Sequence, residues 1–492
     1  MNELNNISSG NLAEFKPYLT AGVAKEQKGE TENIAHLGFD LNYLITSNLK
    51  LNLTANTDFA QVESDRAIIN LSRFSVRYPE KREFFLEGKE TFSFGSGKGL
   101  PSIFYSRRIG IKGKEQIPIL GGARLRGKLG STNIGALSIQ TGKKGTEPTT
   151  NYSVLRLKQD VGGQSNIGMI LTSKNSADVN NLVYGVDANY VTSHLFGDKN
   201  LAIGGSFVRS DTKNAENSGG TASQVYLTSH NDKVEIDFAY ARVGKNFDSQ
   251  IGFLRRTNYK FLYTELQFNP RPSFIPWIRQ AEIKPLELNA YFSDDTNELE
   301  SVSWEWRPFG FSTKSGESFE YNIQRYYDRL DESFDIHEGV TLPMGGYWYN
   351  RQEIQFNTYR GRKISFQMET GWGGYYTGKR TEVSLTTSAN INKHLNLSVD
   401  YGVNKLTFPQ GDFIVHAIGS RLDYAFSTRL FSSFFGQWNN DDNEILFNFR
   451  LNWIPSIGSD FYLAINQFYD TGGGIKLKNT TILAKFIWRF TI

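Results

Sequence analysis

Apolar and polar residues alternate with a period of two along most of the chain. Leu49, Leu51, Leu53 and Ala55 alternate with Lys50, Asn52, Thr54 and Asn56, and Val234, Ile236, Phe238 and Tyr240 alternate with Glu235, Asp237 and Ala239. The same beat sets Leu395, Leu397, Val399, Tyr401 and Val403 against Asn396, Ser398, Asp400, Gly402 and Asn404. It recurs where Ile445, Phe447, Phe449, Leu451 and Trp453 alternate with Leu446, Asn448, Arg450 and Asn452. Successive strand side chains point to opposite faces, so each segment has one apolar and one hydrated face. About two dozen such segments of roughly 9–14 residues can be placed, the length a tilted strand needs to cross a bilayer. Sandwich strands are shorter, about 5–6 residues, and the fixed repeat of a solenoid or propeller is missing. The pattern predicts an all-β chain forming one large closed antiparallel transmembrane β-barrel over residues 1–492. About 22–26 strands are expected, an even number. Closure follows because hydrocarbon offers no partner to an open sheet edge.

The connections sort into two kinds. Short ones fall at 47–48, 392–394, 427–429 and 455–459, and long polar ones at 25–32, 143–150, 211–222, 328–346 and 470–479. Outer-membrane barrels have short periplasmic turns and longer outward loops. The last segment alternates Ile482, Ala484, Phe486, Trp488, Phe490 and Ile492 with Leu483, Lys485, Ile487, Arg489 and Thr491. It resembles the C-terminal signal of bacterial outer-membrane barrels, which implies the barrel-assembly machinery as a partner. Trp306, Trp348, Trp372, Trp438, Trp453 and Trp488 sit near expected strand ends. They fit an interfacial girdle better than a sugar-stacking platform.

Composition narrows the class. Lys+Arg 54 against Asp+Glu 51 leaves +3, too little field to draw in nucleic acid. With no cysteine, disulfide scaffolds, Cys-ligated zinc and thiol nucleophiles are excluded. No apolar run reaches the ~18 residues of a helical span. The segment after Met1 (Asn2, Glu3, Leu4, Asn5, Asn6) has neither the basic start nor the apolar core of a signal peptide. Because the reading requires export, the chain is expected to be a mature form or a piece of a longer protein.

Between Asp58 and Gly110 the alternation breaks. Seven acids (58, 63, 65, 80, 83, 87, 90) stand among nine bases (66, 73, 77, 81, 82, 89, 98, 107, 108). On a barrel's lipid face a mid-plane Arg or Lys costs about 2–4 kcal/mol, so such density belongs inside. Leu49–Asn56 and Ser102–Ile111 both read as strands running outward, so the residues between them must return through the lumen. The expectation is an inserted plug or constriction over 58–110. Its charges have two readings. Asp58, Glu63, Asp65, Arg66, Arg73, Arg77, Glu80, Lys81, Arg82, Glu87, Arg107 and Arg108 either line a pore and bind or select a solute, or form an ion-pair network pinning the insertion to the wall.

The stretch Asp58-Phe59-x-Gln61-Val62-Glu63-x-Asp65, with Asn70-Leu71, Pro79-Glu80-Lys81-Arg82-x-Phe84-Phe85-Leu86-Glu87-Gly88 and Phe104-Tyr105-Ser106-Arg107-Arg108-Ile109-Gly110, resembles domain-of-unknown-function family 5916. The resemblance implies an outer-membrane barrel that usually follows a family-9-like carbohydrate-binding module; no such module is expected within residues 1–492, which leaves any glycan role open. Thr57 and Glu83 stand where the family has proline. Some members are labelled hydrolases, but no catalytic residue carries over.

Other constellations add little. The six histidines have no paired metal-ligand spacing, and no cofactor is expected. Asp331, Asp335, His337 and Glu338 crowd one loop; they would suit a hard cation or a cation bridge to lipopolysaccharide, but read first as a solvated acidic loop. Gly95-Ser96-Gly97-Lys98-Gly99 lacks the Ser or Thr and the βαβ context of a phosphate loop. The expected function is a channel or uptake protein for a polar solute, with a glycan-related solute one option, in the outer membrane of a Gram-negative bacterium. Lipid and lipopolysaccharide would surround it, and a small solute or oligosaccharide would pass. Two alternatives stand: an outer-membrane hydrolase, and an occluded barrel anchoring a carbohydrate-binding module or partner protein.

Overall fold

A computed structural model describes residues 13–27, 29–57, 69–113, 115–213 and 219–491. Among them, 24 antiparallel strands close into one barrel. Each strand pairs with its neighbour in sequence, and the ring is sealed where Ala13–Glu26 pairs with Lys476–Ile487 (Tyr18↔Ile487 through Glu26↔Asn479). Trp488 N donates to Pro17 O at 3.0 Å, and Arg489 pairs with Glu14 beside this seam.

Alternation decides the two faces. Leu37, Val186, Phe207 and Val225 project outward and are 69%, 58%, 50% and 52% exposed. Their polar neighbours Asp187, Ser206 and Gln224 are buried on the opposite face. The exterior is therefore an apolar belt, with Trp306, Trp348, Trp453 and Trp488 exposed on it or at its edges. The short turns at 47–48, 391–394, 426–429 and 457–458 share one end, and the connections at 142–149, 331–344 and 471–475 share the other. One departure is the short-turn end at 269–282, lengthened by Pro270, Pro272 and Pro276.

Two expectations are corrected. Ser102–Ile111 is not an outward strand: it is irregular apart from a 3-10 turn, Ser106–Arg108, and the two-residue strand that begins at Ile111. Ile103 and Ile109 are buried there, and Phe253 N donates to Ser102 O while Tyr105 N donates to Ile251 O. These residues pair with a loop, so no sheet register draws them into the wall. The strand that pairs with Leu49–Thr57 is Ile119–Leu129, antiparallel to it. The chain between them therefore leaves and rejoins the barrel at one end.

The second correction concerns the inward face, which is not polar throughout. Leu137, Val154, Val183 and Val208 point inward and are buried. They lie under the apolar side of the chain between Leu49–Thr57 and Ile119–Leu129.

The belt makes a prediction. Val186→Arg should lower folding stability in lipid vesicles by about 2–4 kcal/mol, read from urea titration of the heat-modifiable band. Ser398→Arg, on the inward face, should cost far less. Equal losses would mean that the exterior does not meet hydrocarbon.

Candidate functional site

Residues 69–110 lie against the inward face of the barrel. Near the long-loop end, Tyr375 Oη donates to Leu71 O at 2.5 Å, and Arg73 Nη2 lies 2.9 Å from Asp328 Oδ1. The chain runs down to a one-turn helix, Glu83–Leu86, near the short-turn end. Gly88 (φ +69°) then turns it into the 3-10 turn Lys89–Phe92 and back. Phe85, Phe92 and Ile109 pack with Leu137, Ile139, Val154 and Ile251. Phe94, Leu100 and Ile103 pack against the inward face of strands between Ser165 and Phe268. This apolar contact explains why the inward face is greasy there.

Two buried charge centres hold the segment. Arg82 is 3% exposed and grips Glu80 in a bidentate pair, with Nε 2.8 Å from Oε1 and Nη2 2.6 Å from Oε2. Its remaining donors reach Ile109 O at 2.6 Å and Ser106 O at 2.7 Å, and its plane stacks 4.2 Å over Phe85. These contacts all lie within the segment, so the Glu80–Arg82 pair holds the outgoing and returning limbs together. Burial works to raise the Glu80 carboxyl, but bonds from Arg82 and Ser106 overcome it and hold the group below the usual range.

The second centre joins segment to wall. Glu87 accepts from Lys50 Nζ at 2.8 Å and from Arg124 Nη2 at 2.6 Å, and also pairs with Arg126. Arg124 is buried, donates to Glu87 O at 2.8 Å and to Phe84 O, and shares Asn52 Oδ1 at 2.9 Å. Burial opposes ionisation of Glu87, yet the Lys50 bond and the charges of Lys50, Arg126 and Arg124 bring it down to about 2. On the far side, the fully buried Arg156 pairs with Asp187 at 2.6 and 2.7 Å and donates Nε to Ser93 O at 2.8 Å.

The glycine run has a packing role. A Cβ at Gly97 would lie 2.6 Å from Gln224 Nε2, and one at Gly99 (φ +95°) would overlap the Phe261 ring. Removing both lets the backbone meet the wall, where Tyr259 Oη donates to Gly99 O at 2.7 Å and Lys98 Nζ sits 3.5 Å from the Tyr263 ring centre.

The sequence-selected residues therefore divide. Asp58, Glu63, Asp65 and Arg66 lie outside the described residues. Glu80 and Arg82 form one centre and Glu87 belongs to the other. Arg73 binds Asp328, Arg77 lies over Tyr105 and Phe253, and Lys81 N donates to Glu80 Oε1. Arg107 Nη1 donates to Pro79 O and Arg108 Nε to Gly252 O, both at 3.0 Å, with Arg108 exposed. Asp331 pairs with Arg329, Asp335 accepts from Thr341, and His337 stacks on Phe413. Sequence reading missed the wall partners Lys50, Arg124, Arg126 and Arg156. The alternation Arg124-x-Arg126-x-Lys128 on one strand face was the available signal.

Two outcomes follow. Arg82→Met leaves the Glu80 carboxylate buried and unpaired, so segment opening by native-state proteolysis should become easier by about 3–5 kcal/mol. Glu80→Gln added to it should recover much of that loss. A depressed carboxyl stabilises above its unfolded value and loses that contribution as pH falls through its folded value. Protease access to the segment should thus rise between pH 4.5 and about 2, and Glu87→Gln should flatten that rise.

The model of the family described as domain of unknown function (DUF5916) matches residues 12–120 and 131–458. No curated protein matches the sequence. Among solved structures the chain is similar to the siderophore receptor PirA from Pseudomonas aeruginosa (TM-score 0.48, 8% identity, 97% of this chain and 80% of that one). It is also similar to the FrpB iron transporter from Neisseria meningitidis (0.45, 11%, 96% and 82%) and the ferric yersiniabactin uptake receptor FyuA from Yersinia pestis (0.44, 10%, 97% and 80%). At this level of likeness no ligand is transferred from them.

Proposed function

This chain belongs to the DUF5916 family, and on that premise we propose that it is a bacterial outer-membrane barrel that admits a polar solute past an inward-folded constriction. The observation that carries the reading is the pairing of an apolar exterior with a charged segment docked on the inward face. A barrel of this strand number encloses a lumen too wide for its own wall side chains to fill. Whatever occupies that lumen sets what passes. Here the occupant spans the barrel's height and returns, so it narrows the route along its whole length.

The surrounding lipid, lipopolysaccharide and the assembly machinery engaged by the last strand are part of this proposal, as are a small solute or oligosaccharide as cargo. Arg107 and Arg108 are its selectivity residues. The occluded-anchor reading draws support from the same ion pairs, because Glu80 and Glu87 are already neutralised by the protein itself.

Single-channel recording separates the two. The wild-type protein should give discrete steps, and Arg107→Ala plus Arg108→Ala should shift their ion selectivity. Arg82→Met, which loosens the segment, should enlarge or destabilise the steps. A silent wild-type protein that conducts only after Arg82→Met would favour the anchor. Unchanged conductance and selectivity in the double variant would take those two residues out of the route.

A further inference from the structure

Four of the chain's eight tryptophans ring one patch of the barrel's exterior. Trp304 and Trp306 stand on Leu299–Thr313, Trp348 on Gly345–Asn357 and Trp372 on Ile364–Tyr375. The residues between them interrupt the apolar belt. Trp304 is the register partner of Arg325, Arg325 of Asn350, and Gln352 of Trp372, so these five share the outward face. Arg325, Asn350 and Gln352 are exposed there, while their chain neighbours Gln324 and Arg351 are buried on the inward side. A pocket of about 370 Å³ opens among these side chains, bounded by Trp304 and Trp372. That volume falls within the ~300–1,000 Å³ of small-ligand sites.

Height on the barrel identifies the leaflet. Four residues beyond Arg325, Arg329 pairs with Glu298 and Asp331 at the long-loop end. In the other direction, Phe309, Phe311 and Phe319 form an outward cluster toward the short turns. Tryptophan favours the headgroup level, so the patch lies in the leaflet on the long-loop side. The Arg325 guanidinium lies 4.8 Å over the Trp348 ring, one row nearer the loops, as an arginine reaching toward headgroups does. It makes no ion pair or hydrogen bond among the described residues, and neither does the Asn350 side chain. Gln352 accepts from Tyr321 Oη at 2.6 Å, which leaves its amide nitrogen to donate. A lipid-facing cation is costly unless an anion meets it.

We propose that this patch binds the anionic phosphate of a lipid in the leaflet on the long-loop side. Arg325 forks onto the phosphate oxygens, Asn350 and Gln352 donate beside it, and an acyl chain lies against Trp304 and Trp372. In an outer membrane that lipid is the phosphorylated glycolipid anchor of lipopolysaccharide. The inference deepens the outer-membrane reading by placing one lipid contact on named residues, and rests on that reading. Charge decides the occupant. A symmetric second copy would set Arg325 against Arg325, and hydrocarbon alone would leave three polar side chains unmatched.

The test uses the full chain folded into phosphatidylcholine vesicles, with and without diphosphoryl lipid A. Without lipid A, Arg325→Leu should not lower the urea midpoint of the heat-modifiable band, because it removes a lipid-facing charge. With lipid A, the wild-type midpoint should rise and the variant should fall below it. In neutral detergent, native mass spectrometry should show Arg325→Gln holding diphosphoryl lipid A about tenfold more weakly, the worth of one charge-assisted hydrogen bond. Lys199→Gln, at the short-turn end, should leave that affinity intact. Equal retention by Arg325→Gln, equal retention of lipid A stripped of its phosphates, displacement by inorganic phosphate, or a dimer that depends on Arg325 overturns the proposal. Protein that fails to float with vesicles would remove the outer-membrane reading itself. Insertion without any response to lipid A would remove the site alone.

Discussion

Hydrocarbon provides no hydrogen-bond partner for a peptide group, and the rest of the architecture answers that fact. Each strand must be paired on both edges, so the sheet closes and the first strand bonds to the last. Closure at this circumference creates an interior that the wall cannot fill alone. The chain fills part of it with its own residues, and those residues then determine the chemistry of the inward wall. Val154, Val183 and Val208 point inward because an apolar side of the segment lies over them, while Arg124 and Arg156 point inward because its carbonyls and carboxylate need donors.

The segment is held by a mixture of forces with different ranges. Its aromatics bury area against the wall, a term that tolerates small shifts. The arginines at the contact do not tolerate them, since Arg82 of the segment and Arg124 of the wall each meet several acceptors at fixed angles. Many of these guanidiniums also lie on aromatic rings, as Arg256 does between Phe74 and Tyr291 at 4.3 and 4.0 Å. Stacking and forked hydrogen bonding together specify one docking pose, where grease alone would permit several.

How much of this was legible in the sequence follows the range of the interactions. Strands such as Leu395–Phe408 declare themselves because alternation is a local property, and the even strand number follows from closure. The break after Asn56 was visible because charge density forbids a lipid face. The chain through Ser102–Ile111 departs from the expected outward strand because its backbone pairs with the loop at 251–253 and has no strand edge to join. Docking partners such as Arg73 and Asp328 stand 255 residues apart and leave no mark on the sequence near either one. The inward valines were hidden for a related reason: a residue's face can be read from its period, but what covers that face cannot.

Because Leu49–Thr57 and Ile119–Leu129 pair directly, the segment is a long hairpin connection and contributes no rung to the cylinder. Assembly can therefore be sequential: the hydrogen-bonded ring is complete in its own terms, and the filling is a loop that settles into it afterwards. Loop-closure entropy grows only as the logarithm of loop length, so lengthening or shortening this connection changes the cost of pairing the flanking strands by little. The fold thereby separates what insertion into a membrane demands, a closed ring of paired strands, from what occupies the interior, which enters through a single hairpin connection.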